Sequence, residues 1–239
     1  MGSSNTNTLQ NTIDFTTFYL GRRPLAIGGA NTIEPALTAA NIVQATILAP
    51  PFKWPWNRSA VTFVQPTTDT PQSLPLFGFI EKAFVTNSAG AINQIPNVKM
   101  ELTLDAGSGQ PTTVGVYLDD NNGNITFRFL PGLPDDPLNQ ITIIYQKRMQ
   151  LMTALANVWT IPDCFSHIYT YGFMALMQLF ADDTRFTASN AKFIGSLLAV
   201  AEGLSEQDQA IFMEQWTNVL ASQVRAGARL QQGFQGRNQ

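Results

Sequence analysis

Cysteine and histidine occur once each in the 239 residues, as Cys164 and His167. A single thiol excludes an internal disulfide and suits a reducing compartment. Two ligands one helical turn apart cannot complete a zinc site, because structural zinc takes four protein ligands and catalytic zinc three. Charge is scarce too: Asp, Glu, Lys and Arg make up 13% of the chain, about half of the roughly 25% usual in soluble domains. Hydrophobic residues still reach 44%, enough for a substantial core and too many for a disordered polypeptide. A surface made polar by Asn, Gln, Thr and Ser rather than by charge suggests faces covered by other subunits. No apolar run reaches 18 residues, so no membrane span is expected, and the opening residues do not read as a secretory signal. Acid is missing after Glu214, whereas Arg225, Arg229 and Arg237 follow it, so the last 25 residues carry +3 within a net charge of −3.

What is present falls into three stretches of different period. Residues 1–32 have no sustained pattern and read as an extended N-terminal arm. A helix can open at Asn31 or Thr32, with Glu34 and Pro35 in its first turn. Leu37, Ala40, Ile42, Val43, Ile47 and Leu48 supply its apolar stripe, and Pro50-Pro51 stops it. After Ser59 the period becomes two. Strands are predicted over Ala60–Val64, Leu76–Val85, Val98–Leu104, Thr113–Leu118, Ile125–Phe129 and Ile141–Tyr145, separated by Ser108-Gly109, Asn122-Gly123 and a Pro-rich stretch from Pro131 to Pro137. Beyond Trp159 the pattern is helical. Thr160 and Asp163 have capping-box spacing, His167–Phe180 is apolar nearly all round, Asn190–Ala201 ends before Gly203, and Ser205 with Asp208 opens a long helix striped by Met213, Trp216, Leu220 and Val224.

Helices at both ends must meet to bury their stripes. The expected fold class is therefore α+β: a helical bundle formed by N- and C-terminal helices, residues 33–58 and 159–230, with an inserted antiparallel β-sandwich or barrel, residues 59–158, and a flexible C-terminal tail, residues 231–239. The segment Ala-Pro-Pro-Phe-Lys-Trp-Pro-Trp-Asn-Arg-Ser, residues 49–59, lies at the first crossing into the insert. Prolines exclude a helix or central strand there. Phe52, Trp54, Trp56 and Arg58 are the candidates for packing at the domain junction, with a ligand platform as the sharper alternative.

Chemistry is hard to find. Cys164 and His167 at i, i+3 lie in a very apolar stretch and read as core or interface packing rather than a thiol–imidazole dyad. Asp119-Asp120-Asn121-Asn122-Gly123-Asn124 has a glycine one place too early for a calcium loop and no glutamate at position twelve, so it reads as a hairpin loop. Ala106-Gly107-Ser108-Gly109 lacks the residues of a nucleophile elbow or phosphate loop. Asp135, Asp136, Asp182, Asp183 and Glu81 are too scattered to pair as acid and base. No catalytic residue, metal ligand or cofactor is expected. The arginines of the C-terminal segment fit phosphate contacts, an acidic groove on a partner, or plain solvation.

Several segments in order carry a resemblance: Ala-Asn-Ile-Val running into Ile-Leu, then Pro-Phe-Lys-Trp-Pro-Trp-Asn-Arg, a β insert, Gly-Asn-Ile-Thr-Phe-Arg-Phe-Leu-Pro, Tyr-Gln-Lys-Arg, and Ile-Pro-Asp-Cys-Phe-Ser-His-Ile before helices. This order is similar to the head-to-tail adaptor proteins of tailed bacteriophages, of the tail tubular protein A type, over most of residues 33–230. The β insert is long, and the N-terminal arm has no counterpart. The resemblance implies a structural, non-enzymatic virion protein made in the host cytoplasm. It implies a ring of copies of itself, commonly twelve, between the portal protein and distal tail, nozzle or fibre proteins, with genomic DNA passing through without sequence-specific binding. Arg225, Arg229 and Arg237 would then dock into the portal. Another neck or tail-tube ring protein is the alternative within that class. A carbohydrate-binding β module with Trp54 and Trp56 as stacking platforms is the alternative outside it.

Overall fold

The computed structural model describes residues 5–20, 35–64, 71–99, 107, 109–120, 122–132, 139–180, 183–201 and 203–235, except for the side chains of Leu20 and residues 222–235. The fold is α+β and divides into two compact units, one made of residues 1–52 and 150–239, the other of residues 53–149. Among the described residues, five helices belong to the first: α1 (Leu9–Leu20), α2 (Ala36–Leu48), α3 (Ser166–Phe180), α4 (Phe186–Val200) and α5 (Glu206–Gln235). Eight strands among the described residues belong to the second: β1 (Arg58–Val64), β2 (Gln72–Ser73), β3 (Phe77–Thr86), β4 (Ile92–Ile95), β5 (Asn97–Lys99), β6 (Thr113–Asp119), β7 (Asn124–Leu130) and β8 (Gln140–Lys147).

In the β unit the strands form two open four-stranded sheets, ordered β1-β8-β3-β4 and β2-β7-β6-β5. Each keeps two edge strands, so the barrel alternative is corrected: neither sheet closes on itself. Pairing is antiparallel except between β5 and β6, which run parallel. The inward residues follow the strand alternation in β8, whereas register shifts at Phe77/Phe79 and Ile80/Lys82 break it in β3. Ile80, Ala83 and Val85 of β3 and Ile141, Ile143 and Tyr145 of β8 meet Val114 of β6 and Ile125 and Phe127 of β7 in one apolar core. The β6–β7 hairpin is closed by Asp120, whose Oδ1 accepts from Asn122 N and Asn124 N at 2.8 and 3.0 Å. Gly123 takes φ +88°, and a Cβ there would stand 2.6 Å from Pro75 Cα, so both conformation and space call for glycine.

In the helical unit α3 is enclosed, with Ile168, Tyr169, Phe173, Met174, Leu176 and Met177 all buried. Gly172 lets its neighbours approach: a Cβ there would lie 2.9 Å from the Phe193 ring of α4 and 3.0 Å from Val43 of α2. The long C-terminal helix starts at the expected cap, Asp208 N donating to Ser205 Oγ (3.1 Å) and Ser205 Oγ to Asp208 Oδ2 (2.9 Å). Its buried stripe differs by one position from the expected one. Phe212 and Trp216 are buried while Met213 is exposed; the Val224 side chain lies outside the described residues.

Three expectations are corrected here. The extended arm assigned to residues 1–32 contains α1, while residues 21–34, including the expected helix start at Asn31 or Thr32, lie outside the described part. Residues 150–158, assigned to the β insert, belong to the helical unit because polar side chains of α2 hold them there. Asn41 pairs with Met152 through both Nδ2→O (3.0 Å) and N→Oδ1 (2.9 Å), and Gln44 Oε1 accepts from Thr160 N at 3.0 Å. Asp163 does not box with Thr160; its carboxylate accepts instead from Thr6 Oγ1, Thr6 N and Asn7 N at 2.6, 2.9 and 3.1 Å. Those bonds, led by the Thr6 hydroxyl, hold the Asp163 carboxyl below its ordinary pKa.

Candidate functional site

The proline and tryptophan segment changes unit in its middle. Phe52 closes the helical unit, buried and edge-on to Phe212 at 4.8 Å. Trp54, Trp56 and Arg58 open the β unit. A short 3-10 turn at Pro55–Asn57 places the two indoles face to face, 5.6 Å apart at 28°. Asn57, buried, anchors the turn by donating Nδ2–H to Lys147 O at 2.7 Å. Trp54 is 4% exposed. A sugar-stacking platform needs an open indole face, which Trp54 does not offer, while Trp56 beside it is half-buried.

Behind this turn lies a polar cluster that links three strands. Arg58 of β1 forks onto Glu81 of β3, with Nε to Oε2 at 2.8 Å and the terminal amine on the other oxygen. Gln146 of β8 donates Nε2–H to the same Oε2 at 2.7 Å, and its Oε1 accepts from Trp54 N at 3.2 Å. Burial pushes the Glu81 carboxyl up, but the hydrogen bonds from Arg58 and Gln146 and the guanidinium charge outweigh it, leaving the group below its ordinary value. Glu81 is thus held as a carboxylate whose oxygens already accept from matched donors. It braces the strand ends and presents no acid or base to a substrate.

The other candidates separate cleanly. Cys164 and His167 are both exposed, so of the expected core or interface packing the core half is corrected: they stand at the surface of the chain, in the short turn before α3 and its first residues. No group of three metal-ligating side chains comes together among the described residues, and no helix there is long and apolar enough to cross a membrane. Asp120 is committed to the N–H groups of its own hairpin, as a turn residue rather than a calcium ligand. Asp183 pairs with Arg185 two residues on; Asp135, Asp136, Asp182 and Arg237 lie outside the described residues. Arg225 and Arg229 are four positions apart on the long α5, with their side chains outside the described part.

What sequence reasoning missed is apolar surface on the helical unit. The outward face of α1 carries Phe15, Phe18 and Tyr19, which are 52%, 88% and 57% exposed. Between α2 and α5 runs a groove of about 390 Å³, lined by Ile42, Ala45 and Ala49 on one side and by Phe212, Trp216 and Val219 on the other. Its floor is preformed, because Trp216 Nε1 donates to Asn190 Oδ1 at 2.9 Å and its ring lies 5.1 Å from Phe193. Compared with known proteins, the chain matches no family model and no curated protein.

Proposed function

We propose that the chain is a structural virion protein, a head-to-tail adaptor that assembles as a ring between portal and tail and leaves an axial passage for DNA. The finer fold belongs to the same reading: a helical bundle carrying a β sandwich inserted at the proline and tryptophan crossing. One observation carries it, the order of elements along the chain. A first helical segment ends at Pro50-Pro51-Phe52, the β unit is interposed as residues 53–149, and the chain returns through Ile161-Pro162 into α3 and finally the 30-residue α5. That order is the one on which the resemblance to phage adaptors rests.

The physical chemistry supports assembly over catalysis. The polar clusters at Glu81, Asp120 and Asp163 are each saturated by their own hydrogen bonds, whereas the large uncommitted surfaces are apolar. Removing such surface from water stabilises by roughly 25 cal/mol per Å², less the cost of ordering, which a preformed helical surface keeps low. Arg225, Arg229 and Arg237 serve as portal-docking charges in this reading.

The test is reconstitution. Purified chain added to portal-containing heads that lack it should co-sediment with them at a fixed ring stoichiometry, seen as an added density below the portal by electron microscopy. A variant lacking the last 25 residues should fail to join. Normal joining by that variant would remove the docking role of the arginines, and no joining by the full chain would overturn the adaptor reading.

A further inference from the structure

The two sheets of the β unit have four edge strands among the described residues, β1 and β4 in one and β2 and β5 in the other. Three of them carry features by which folded proteins keep an edge from pairing with other chains: shortness, proline or lysine. Strand β2 has two residues between Pro71 and Leu74-Pro75, β4 has four and stops at Pro96, and β5 has three, follows Pro96 and ends on Lys99. Strand β1 has none of these. It runs for seven residues, Arg58-Ser59-Ala60-Val61-Thr62-Phe63-Val64, without proline or lysine. Its pairing with β8 has no register shift, so no bulge turns the edge away. Its one charge, Arg58, is already committed to Glu81.

The apolar core is open along the same edge. Val61 and Phe63 pack against the core but are partly buried, whereas their cross-strand neighbours on β8, Ile143 and Ile141, are covered completely. Phe63 is held in place by stacking on Phe127, with ring centroids 6.2 Å apart at 11°. One more strand beside β1 would give Val61 and Phe63 the cover that β1 gives to β8. Among the described residues β8 alone pairs with β1. Alternate N–H and C=O groups along about 23 Å of backbone therefore point away from the sheet.

We infer that β1 takes up a fifth strand: an extended, uncharged segment of a partner protein that runs antiparallel to β1 and sets β-branched or aromatic side chains at alternate positions beside Val61 and Phe63. Backbone hydrogen bonds supply the pairing, and the alternation supplies the face and register. The absence of charge from Ser59 to Val64 selects an uncharged segment. The other edges of a second copy are blunted as above, and its β1 would meet this one about a two-fold axis, a contact that closes on itself and does not continue round a ring. The choice of a different chain thus rests on the proposed function, while the open edge stands without it.

The probe is the synthetic peptide acetyl-Thr-Val-Thr-Phe-Thr-Val-Thr-amide, titrated into the full chain. Bound peptide should slow amide hydrogen exchange over residues 59–64 by about tenfold or more, read by mass spectrometry. Residues on one face of a strand also share one hydrogen-bonding edge. N-methylation of the three apolar residues in one peptide and of the threonines in another should therefore split: one set abolishes binding and the other leaves it. Val61→Lys, which puts a charge at the inner rim, should weaken binding by about tenfold or more, with far-UV circular dichroism checking the fold. If that variant does not fold, the exchange pattern and the two methylated peptides decide. No binding at millimolar peptide, equal binding of the two methylated peptides, or protection confined to other residues overturns the inference and leaves the adaptor reading standing. Protection of residues 59–64 that rises with chain concentration alone, with a dimer in analytical ultracentrifugation, gives the edge to a second copy and overturns the inference too. Peptide binding at β1 by a chain that never joins portal-containing heads keeps the strand site and overturns the adaptor reading.

Discussion

Helices α1 and α3 are of similar length and share one unit, yet they are built on opposite plans. In α3 apolar side chains point nearly all round and are covered. In α1 the covered positions are largely threonine and the aromatic ones face out. The threonines are tolerable inside because each hydroxyl has a partner: Thr16 Oγ1 donates to Thr12 O at 2.7 Å, and Thr12 Oγ1 donates to Thr8 O at 3.3 Å while accepting from Trp159 Nε1 at 2.9 Å. The helix start is matched as well, Leu9 N and Gln10 N donating to the carbonyls of Asn157 and Leu155. The difference teaches that α1 is held by directed bonds to residues 153–163, and α3 by bulk burial.

The largest expected effect is therefore at the side chain both plans share. Trp159 is buried, lies 4.3 Å from Tyr169 of α3 in a stack, and bonds to Thr12 of α1. Trp159→Ala should cost about 3–5 kcal/mol in denaturant unfolding. An effect below about 1 kcal/mol would show that α1 and α3 are not joined through it. Next comes Gly172→Ala, which pushes a methyl group against Phe193 and Val43; overpacking should cost about 1–3 kcal/mol, and an unchanged unfolding midpoint would break the enclosed description of α3. Thr12→Val sharpens the comparison further. It makes α1 more apolar on its inner face, but it strands the indole N–H of Trp159, so stability should fall by about 1–3 kcal/mol rather than rise.

The same contrast explains what was legible in the sequence. Ile168, Phe173, Leu176 and their neighbours announce α3 through composition alone, and β1, β3, β6, β7 and β8 follow from alternating residues that a half-buried strand needs. Helix α1 has no such signal, because Thr12 and Thr16 look like surface residues until Trp159, about 145 positions away, supplies a partner. The short β2 and β4 are missed because two to four residues cannot show a period. Parallel pairing of β5 with β6 is likewise absent from any alternation pattern. At the candidate site, Arg58 stands out in the sequence by its place in a proline and tryptophan stretch, but its pairing with Glu81 depends on strand order, which no local signal carries. The α5 stripe was displaced by one position because Trp216 fits both 213–216–220 and 212–216–219, and only the packing of Phe212 on Phe52 decides between them.

A smaller effect is expected with pH. Asp163 is held below its ordinary pKa of 3.8, so the folded state binds fewer protons than the unfolded chain as acid is added. Its contribution is fully present above that value and is lost as the pH falls through the lower folded value. Asp163→Asn should lower stability at neutral pH and flatten the stability curve below pH 3.8, as followed by thermal unfolding across that range. An unchanged acid limb would mean that residues 6 and 7 are not tied to α3 through this carboxylate.

The smallest effect on stability belongs to the outer face of α1. Phe18 stands almost wholly in solvent, so Phe18→Ala removes a ring that the folded chain does not cover, and a surface substitution away from caps and buried partners usually stays within about ±0.5 kcal/mol. Trp159→Ala, under the inner face of the same helix, removes a ring that is covered on every side. The two substitutions thus read the two faces of α1 independently, and their ratio tests the inverted plan directly. If Phe18→Ala under monomeric conditions lowered stability by more than about 1 kcal/mol, the ring would be covered in solution by the chain itself, and α1 would bury aromatics as other helices do.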